Sequence, residues 1–120
     1  MTTVLVIEDN EKNRYLMSFI LRGAGYTVIE AVTGEEGVRT ALRDHPDLIL
    51  MDIQLPGIDG YETTRQIRAS PGGATIPVIA LTSYAMTGDR ERALAAGCTG
   101  YIEKPINPDT ILDEIRKFVR

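Results

Sequence analysis

A single cysteine, Cys98, stands in this chain of 120 residues. It cannot build an internal disulfide framework or a cysteine-based zinc site. Long hydrophobic runs are missing too, since no stretch approaches the roughly 20 apolar residues that a membrane span requires. The apolar start Val4-Leu5-Val6-Ile7 is broken at once by Glu8 and Asp9, so the N-terminus does not read as a signal peptide. Positive charge is short. Lys and Arg total 13 against 17 Asp and Glu, a formal net charge of −4, which argues against a direct nucleic-acid-binding surface. Proline and glycine crowd together only at Ser70-Pro71-Gly72-Gly73-Ala74, which reads as a loop and not a domain linker. No internal repeat or low-complexity segment is evident. What remains is 43% hydrophobic residues, enough for an ordinary core, in a length that holds one core and not two. The expectation is one soluble, cytoplasmic domain over residues 1–120, with no membrane contact and no output domain after it.

Short apolar runs alternate with stretches of helical period. Val4–Ile7, Leu48–Met51 and Ile76–Leu81 lack polar alternation, as strands covered on both faces do. Tyr26–Ala31 and Thr99–Ile102 are weaker, and the mixed character of the former suits an edge strand. Between them, Asn10 is a candidate N-cap and Gly23 and Gly25 end the first helix. Thr33-Gly34-Glu35-Glu36 matches a capping box, with Val38, Ala41 and Leu42 following. A third helix is expected over about Gly60–Ala69 and a fourth over about Thr87–Ala96. Asn107-Pro108 reads as N-cap and N1 of a fifth, whose stripe is Ile111, Leu112, Ile115, Phe118 and Val119. Five βα units in series predict an α/β fold, a doubly wound parallel sheet with right-handed crossovers.

The chemistry follows the strands. Glu8 and Asp9 come after the first, Asp52 after the third, Thr82 and Ser83 after the fourth, and Lys104 after the fifth. In an open parallel sheet these positions share the carboxyl edge, where ligands bind at the point of strand-order reversal. Three carboxylates there repel, two charges about 4 Å apart by roughly 4 kcal/mol at an effective dielectric of 20. A cation or protonation relieves that cost. Hard oxygen ligands favour Mg²⁺, and a carboxylate beside it can be a nucleophile toward phosphorus. Lys104 would counter the phosphate charge, and Thr82 would donate a hydrogen bond to it.

These segments resemble the receiver domain of bacterial two-component response regulators. The resemblance rests on Val4–Asn10, Leu48–Gly60, Ile79–Ser83 and Tyr101–Pro105, four motifs in the family's order, and covers essentially the whole chain. The form is similar to single-domain receivers of the DivK type and to receivers of hybrid histidine kinases. It implies a flavodoxin-like (βα)5 sheet of order 2-1-3-4-5, with Asp52 taking a phosphoryl group from a histidine kinase or phosphotransfer protein. It implies Mg²⁺ held by Asp9, Asp52 and the backbone carbonyl of Gln54, with Glu8 helping through water. Thr82 would be the switch hydroxyl, Tyr101 the switch aromatic, Lys104 the phosphate's charge partner and the Ser83 N–H a phosphate donor. A cis Lys104-Pro105 peptide is implied as well, and X-Pro bonds tolerate that form at about 0.5–1 kcal/mol. A downstream protein target would read the switched face. Two positions depart from the usual pattern: Glu8 is a methylene longer than the common Asp, and Ser83 replaces the usual Ala or Gly.

Other functions fit less well. An aspartate-nucleophile phosphohydrolase resembles a pattern with a second Asp two residues after the nucleophile, where this chain has Gln54, which cannot protonate a leaving group. A flavin-binding protein would need a phosphate loop after the first strand, where Glu8-Asp9-Asn10 repels phosphate. A degenerate, phosphate-independent receiver would not retain every carrier residue. Cys98 reads as an inert small residue, His45 as a helix-end residue on the opposite edge and no phosphoacceptor, and Arg90 and Arg92 as a solvated helix face. On the first helix Leu16, Met17, Ile20, Leu21 and Ala24 form the expected core stripe. Tyr15 and Phe19 fall on its flank as i, i+4 neighbours. By resemblance receivers dock their phosphodonor with this helix and the loop holding Pro105 and Ile106, so Tyr15 and Phe19 are expected to extend that surface.

Overall fold

The computed structural model describes residues 2–82 and 88–119. The expected apolar runs form β1 (Thr3–Ile7), β3 (Leu48–Asp52) and β4 (Val78–Thr82), and the weaker ones β2 (Thr27–Ala31) and β5 (Gly100–Glu103). All pairings are parallel, in the order β2-β1-β3-β4-β5, which leaves β2 on an edge as its mixed sequence requires. The helices are α1 (Glu11–Gly23), α2 (Gly34–Asp44), α3 (Gly60–Ala69), α4 (Asp89–Ala96) and α5 (Ile111–Arg116). None of the described helices is long and apolar enough to cross a membrane.

Strand alternation sorts the core into two layers. Leu5, Ile7, Ile49, Met51, Val78 and Ala80 meet Ala41 of α2, Tyr61 and Ile67 of α3, and Ala93 and Ala96 of α4. Val4, Val6, Leu48, Leu50, Ile79 and Leu81 meet Met17 and Leu21 of α1 and Ile111 and Ile115 of α5. Each fully buried Leu or Ile contributes about 1.5–3 kcal/mol.

Helix starts follow the punctuation. Asn10 accepts the Asn13 N–H at 2.9 Å, Thr33 the Glu36 N–H at 3.1 Å, and Asp59 the Glu62 N–H at 2.9 Å. Glu36 returns its bond to the Val32 N–H at 3.0 Å, one residue before the cap of the expected box. Gly60 is needed for proximity: a Cβ there would lie 2.6 Å from the Asp52 carbonyl oxygen and 2.7 Å from Ile53 Cα. Its absence lets α3 start directly against the end of β3. The Lys104-Pro105 peptide is cis, as the resemblance implies.

Several expectations need correction. Asp52 and Thr82 are the last residues of β3 and β4 and not the first beyond them, because the register carries pairing to Asp52↔Leu81 and Thr82↔Glu103. Asn107 caps only a turn, accepting the Asp109 N–H at 2.9 Å, and α5 itself begins at Ile111. The stripe of α1 is rotated. Met17, Ser18 and Leu21 are buried, whereas Leu16 is 45% exposed and Ala24 lies at the exposed C-terminal end. Angular position outweighs hydrophobicity here, since Ser18 sits at i+1 and i−3 from Met17 and Leu21 on the inward arc. Arg92 is no freely solvated side chain, for its guanidinium lies over the Tyr61 ring at 4.7 Å. Thr87, the expected start of the fourth helix, lies outside the described residues.

Candidate functional site

The chain leaves β1 toward β2 on one side, while β3 and β4 extend the sheet on the other. Strand order therefore reverses between β1 and β3, and the crevice there opens at their carboxyl ends. Glu8 and Asp9 leave the end of β1 and Asp52 ends β3, so the two neighbouring strands place three acids together. One carboxylate oxygen from each lies within 4.8 Å of the others. Glu8 and Asp52 are each 3% exposed, while Asp9 faces solvent.

Lys104, just after β5, reaches across to this group. Its Nζ is 3.1 Å from Asp52 Oδ1 and 3.2 Å from Glu8 Oε1. Main-chain donors complete the frame: the Gln54 N–H donates to Asp52 Oδ1 at 3.1 Å and the Asn10 N–H to Glu8 Oε2 at 3.3 Å. Burial, and then the adjacent Asp52 carboxylate, push the Glu8 carboxyl from 4.5 up to about 7, against the opposing pull of Lys104 and the Asn10 N–H. Burial alone would lower the Lys104 ammonium, but the charges of Asp52 and Glu8 outweigh it and hold its pKa above the usual lysine value. The ammonium thus meets two of the three acids. The donor set is all hard oxygen, convergent and electron-rich, and it fits a small divalent cation such as Mg²⁺.

Thr82 is 2% exposed at the end of β4, and its carbonyl accepts the Lys104 N–H at 2.7 Å, tying the strand end to the lysine. Tyr101 is half-buried on β5, beside Ala80 in register. Ser83 lies outside the described residues. Gln54 is held by its N–H, with its side chain exposed.

Pro105 and Ile106 line a cleft of about 460 Å³ together with Glu8, Asn13, Leu16 and Lys104. The cleft leads from the acidic group to the start of α1. Tyr15 and Phe19 are 70% and 64% exposed, with rings stacked at 6.2 Å and 24°. Tyr15 borders a different hollow, with Glu11, Lys12, Arg14 and Glu30. Leu16, which sequence reasoning put in the core, is the α1 apolar residue that faces Pro105 and Ile106. Arg14 also escaped that reasoning: its guanidinium donates to the carbonyls of Glu8 and Asp9. A cation one turn into the helix after an acidic loop was the signal that could have found it.

Known proteins share this fold. The family model for the response regulator receiver domain matches residues 4–116. The polar-differentiation response regulator DivK of Brucella ovis is 41% identical over 117 residues, covering 98% of this chain and 95% of its own. Among solved structures, the receiver domain of the Pseudomonas aeruginosa sensor histidine kinase PA1611, with magnesium coordinated in its active-site cleft, is 40% identical. Its TM-score is 0.91, over 98% of this chain and 96% of that one. A Saccharomyces cerevisiae complex of the phosphotransfer protein Ypd1 with the receiver domain of Ssk1 matches at 30% identity and a TM-score of 0.89, over 98% of this chain and 88% of that one. Matched by the family model over residues 4–116 and 41% identical to such a regulator over nearly its whole length, the chain belongs to the response regulator receiver domain family.

Proposed function

We propose that Asp52 is the phosphoacceptor. The observation that carries this reading is a buried carboxylate at the reversal of strand order, 3.1 Å from an ammonium and within 4.8 Å of two further acids. An Asp52 oxygen attacks the phosphorus of a phosphohistidine, the P–N bond breaks, the imidazole keeps its electron pair, and an acyl phosphate remains on Asp52. Asp9, Asp52 and the Gln54 carbonyl would hold Mg²⁺, with Glu8 acting through water; the ion would neutralise charge on the phosphoryl oxygens. Lys104 pairs with the transferred phosphate, the Ser83 N–H and Thr82 hydroxyl donate to it, and Tyr101 turns with Thr82 to alter the face read by a downstream protein. Ligand-driven change of that kind shifts a pre-existing equilibrium.

The phosphodonor is a histidine kinase or phosphotransfer protein, and its helical surface would meet α1 and the loop of Pro105 and Ile106, with Tyr15 and Phe19 extending the contact. The chemistry the chain catalyses is its own phosphorylation and dephosphorylation. Residues 1–120 form a receiver domain, working in the cytoplasm. Intact-mass measurement after incubation with acetyl phosphate and Mg²⁺ tests the reading. The wild type should gain one phosphoryl group and Asp52→Asn should gain none; equal labelling of both would overturn it.

A further inference from the structure

Arg14 links three parts of the fold: α1, the loop that leaves β1, and β2. Its Nη1 donates to the Glu8 carbonyl at 2.9 Å and to the Asp9 carbonyl at 3.4 Å. Its Nε is 3.0 Å from Glu30 Oε1 on β2, and Glu30 in turn meets Arg22 at 3.4 Å, two turns further along α1. The Arg14 side chain is only 16% exposed, and its bond to the Glu8 carbonyl is partly buried, while those to Glu30 and the Asp9 carbonyl lie at the surface. Strand alternation explains the partner: Glu30 shares a face with Val28, which packs in the α1 layer, and Glu30 is level with Val6 on β1. The Glu8 N–H meanwhile donates to the Ala31 carbonyl at 3.0 Å. Both main-chain groups of Glu8 are therefore anchored toward β2, the N–H directly and the carbonyl through Arg14 to Glu30. The same peptide units carry the two carboxylates that converge on Asp52.

We propose that Arg14 is the positioning residue of the metal loop: it braces the Glu8 and Asp9 peptides against β2 so that their carboxylates stay converged for Mg²⁺. This rests on the metal reading given above. A guanidinium fits the task because its planar fork holds donors on separate nitrogens, Nη1 toward the carbonyls and Nε toward the carboxylate, whereas an ammonium presents its three donors from one atom. The sign of the effect separates bracing from simple electrostatics. Arg14 is a cation near a cation site, so by charge alone its removal would tighten Mg²⁺ binding. Loss of bracing weakens it, in the manner of residues that orient metal ligands.

The experiment titrates Mg²⁺ alone into wild type, Arg14→Met and Arg14→Lys by calorimetry. Amide exchange at Glu8 and Asn10 is followed in the metal-free proteins, and global stability in urea. The expected result is a Kd for Mg²⁺ raised about tenfold in Arg14→Met. Arg14→Lys, which keeps the charge, should also bind more weakly, and exchange at both amides should be faster in both variants without metal. Unchanged or tighter Mg²⁺ binding in Arg14→Met overturns the proposal while leaving the metal site standing. So does a loss that tracks global unfolding in both variants. A wild type that Mg²⁺ leaves unaltered overturns the metal reading and the positioning role with it, and the amide exchange then shows whether Arg14 serves the loop's structure alone.

Discussion

Two cations bridge strand and helix ends at opposite edges of the sheet, and their partners differ in kind. At the amino edge, Arg68 of α3 donates to the Gly97 carbonyl at 2.9 Å, the Gly73 carbonyl at 2.7 Å and the Thr99 hydroxyl at 3.3 Å. All three are neutral, and burial lowers the Arg68 pKa from its usual value. At the carboxyl edge, the Lys104 ammonium meets the carboxylates of Asp52 and Glu8, and their charge overrides its burial. The first cluster is satisfied and serves the fold. The second carries more negative charge than its lysine can balance, and that surplus is what a metal ion or an incoming electrophilic phosphorus can use. A structure that stabilised both edges equally would have no such site.

Breaking the satisfied edge should have the largest effect on stability. Arg68→Ala removes the donors of three acceptors that join the ends of α3 and α4 to the start of β5. A hydrogen bond to a charged group is worth about 1.5–3 kcal/mol, so a loss of roughly 2–4 kcal/mol is expected in urea unfolding. The folded fraction should still accept phosphate from acetyl phosphate at an unchanged rate, because Arg68 lies far from the crevice. A loss of labelling in protein that remains folded would mean that the two edges communicate.

At the strained edge the effect is smaller and depends on pH. Glu8 has a carboxyl raised to about 7 in the folded chain against 4.5 when exposed. Between those values the folded state holds a proton that the unfolded state has released, so stability falls as pH rises. Its contribution is complete below about 4.5, declines through the interval and is gone above 7. Urea midpoints in metal-free buffer should therefore drop between pH 5 and pH 8 by more in wild type than in Glu8→Gln. Contributions common to both proteins cancel, so the difference between them isolates Glu8. Parallel profiles would show that Glu8 ionises as an ordinary surface acid.

The contrast between the edges also marks what could be read in advance. Unbroken apolar runs gave away β1, β3 and β4, because a strand covered on both faces has no room for alternation. Asn10 and Thr33 capped helices because their short oxygens reach N–H groups three residues on, a local rule independent of tertiary structure. The acids, Thr82 and Lys104 became one site as soon as the βα order put them on one edge. Longer-range geometry was not legible. The Arg14–Glu30 pair exists only once α1 packs on β2, and the outward turn of Leu16 follows from the small Ser18 taking the inward arc. Arg68 gave no signal at all, since two of its acceptors, the Gly97 carbonyl and the Thr99 hydroxyl, lie 29 and 31 residues along the chain.

The smallest effect on stability, and the most selective one on function, is expected on the exposed face of α1. Phe19 and Leu16 lie 64% and 45% in solvent. Truncating either to alanine removes little buried area, and exposed substitutions of this type shift stability by no more than about 0.5 kcal/mol. They differ in where they point. Leu16 borders the cleft that holds Pro105 and Ile106 and opens onto Lys104, whereas Phe19 stacks on Tyr15 beyond it. A bulky protein donor must cover this ground to bring a phosphohistidine to Asp52, while acetyl phosphate is small enough to reach it without touching α1. Phe19→Ala should slow phosphotransfer from the cognate kinase or phosphotransfer protein and leave labelling by acetyl phosphate unchanged. Leu16→Ala should slow it more, because Leu16 sits between the aromatic pair and the acceptor. Single-turnover rates with both donors check this directly. Equal losses with the two donors would assign these side chains to the fold, and no loss with the protein donor would move its docking surface off α1.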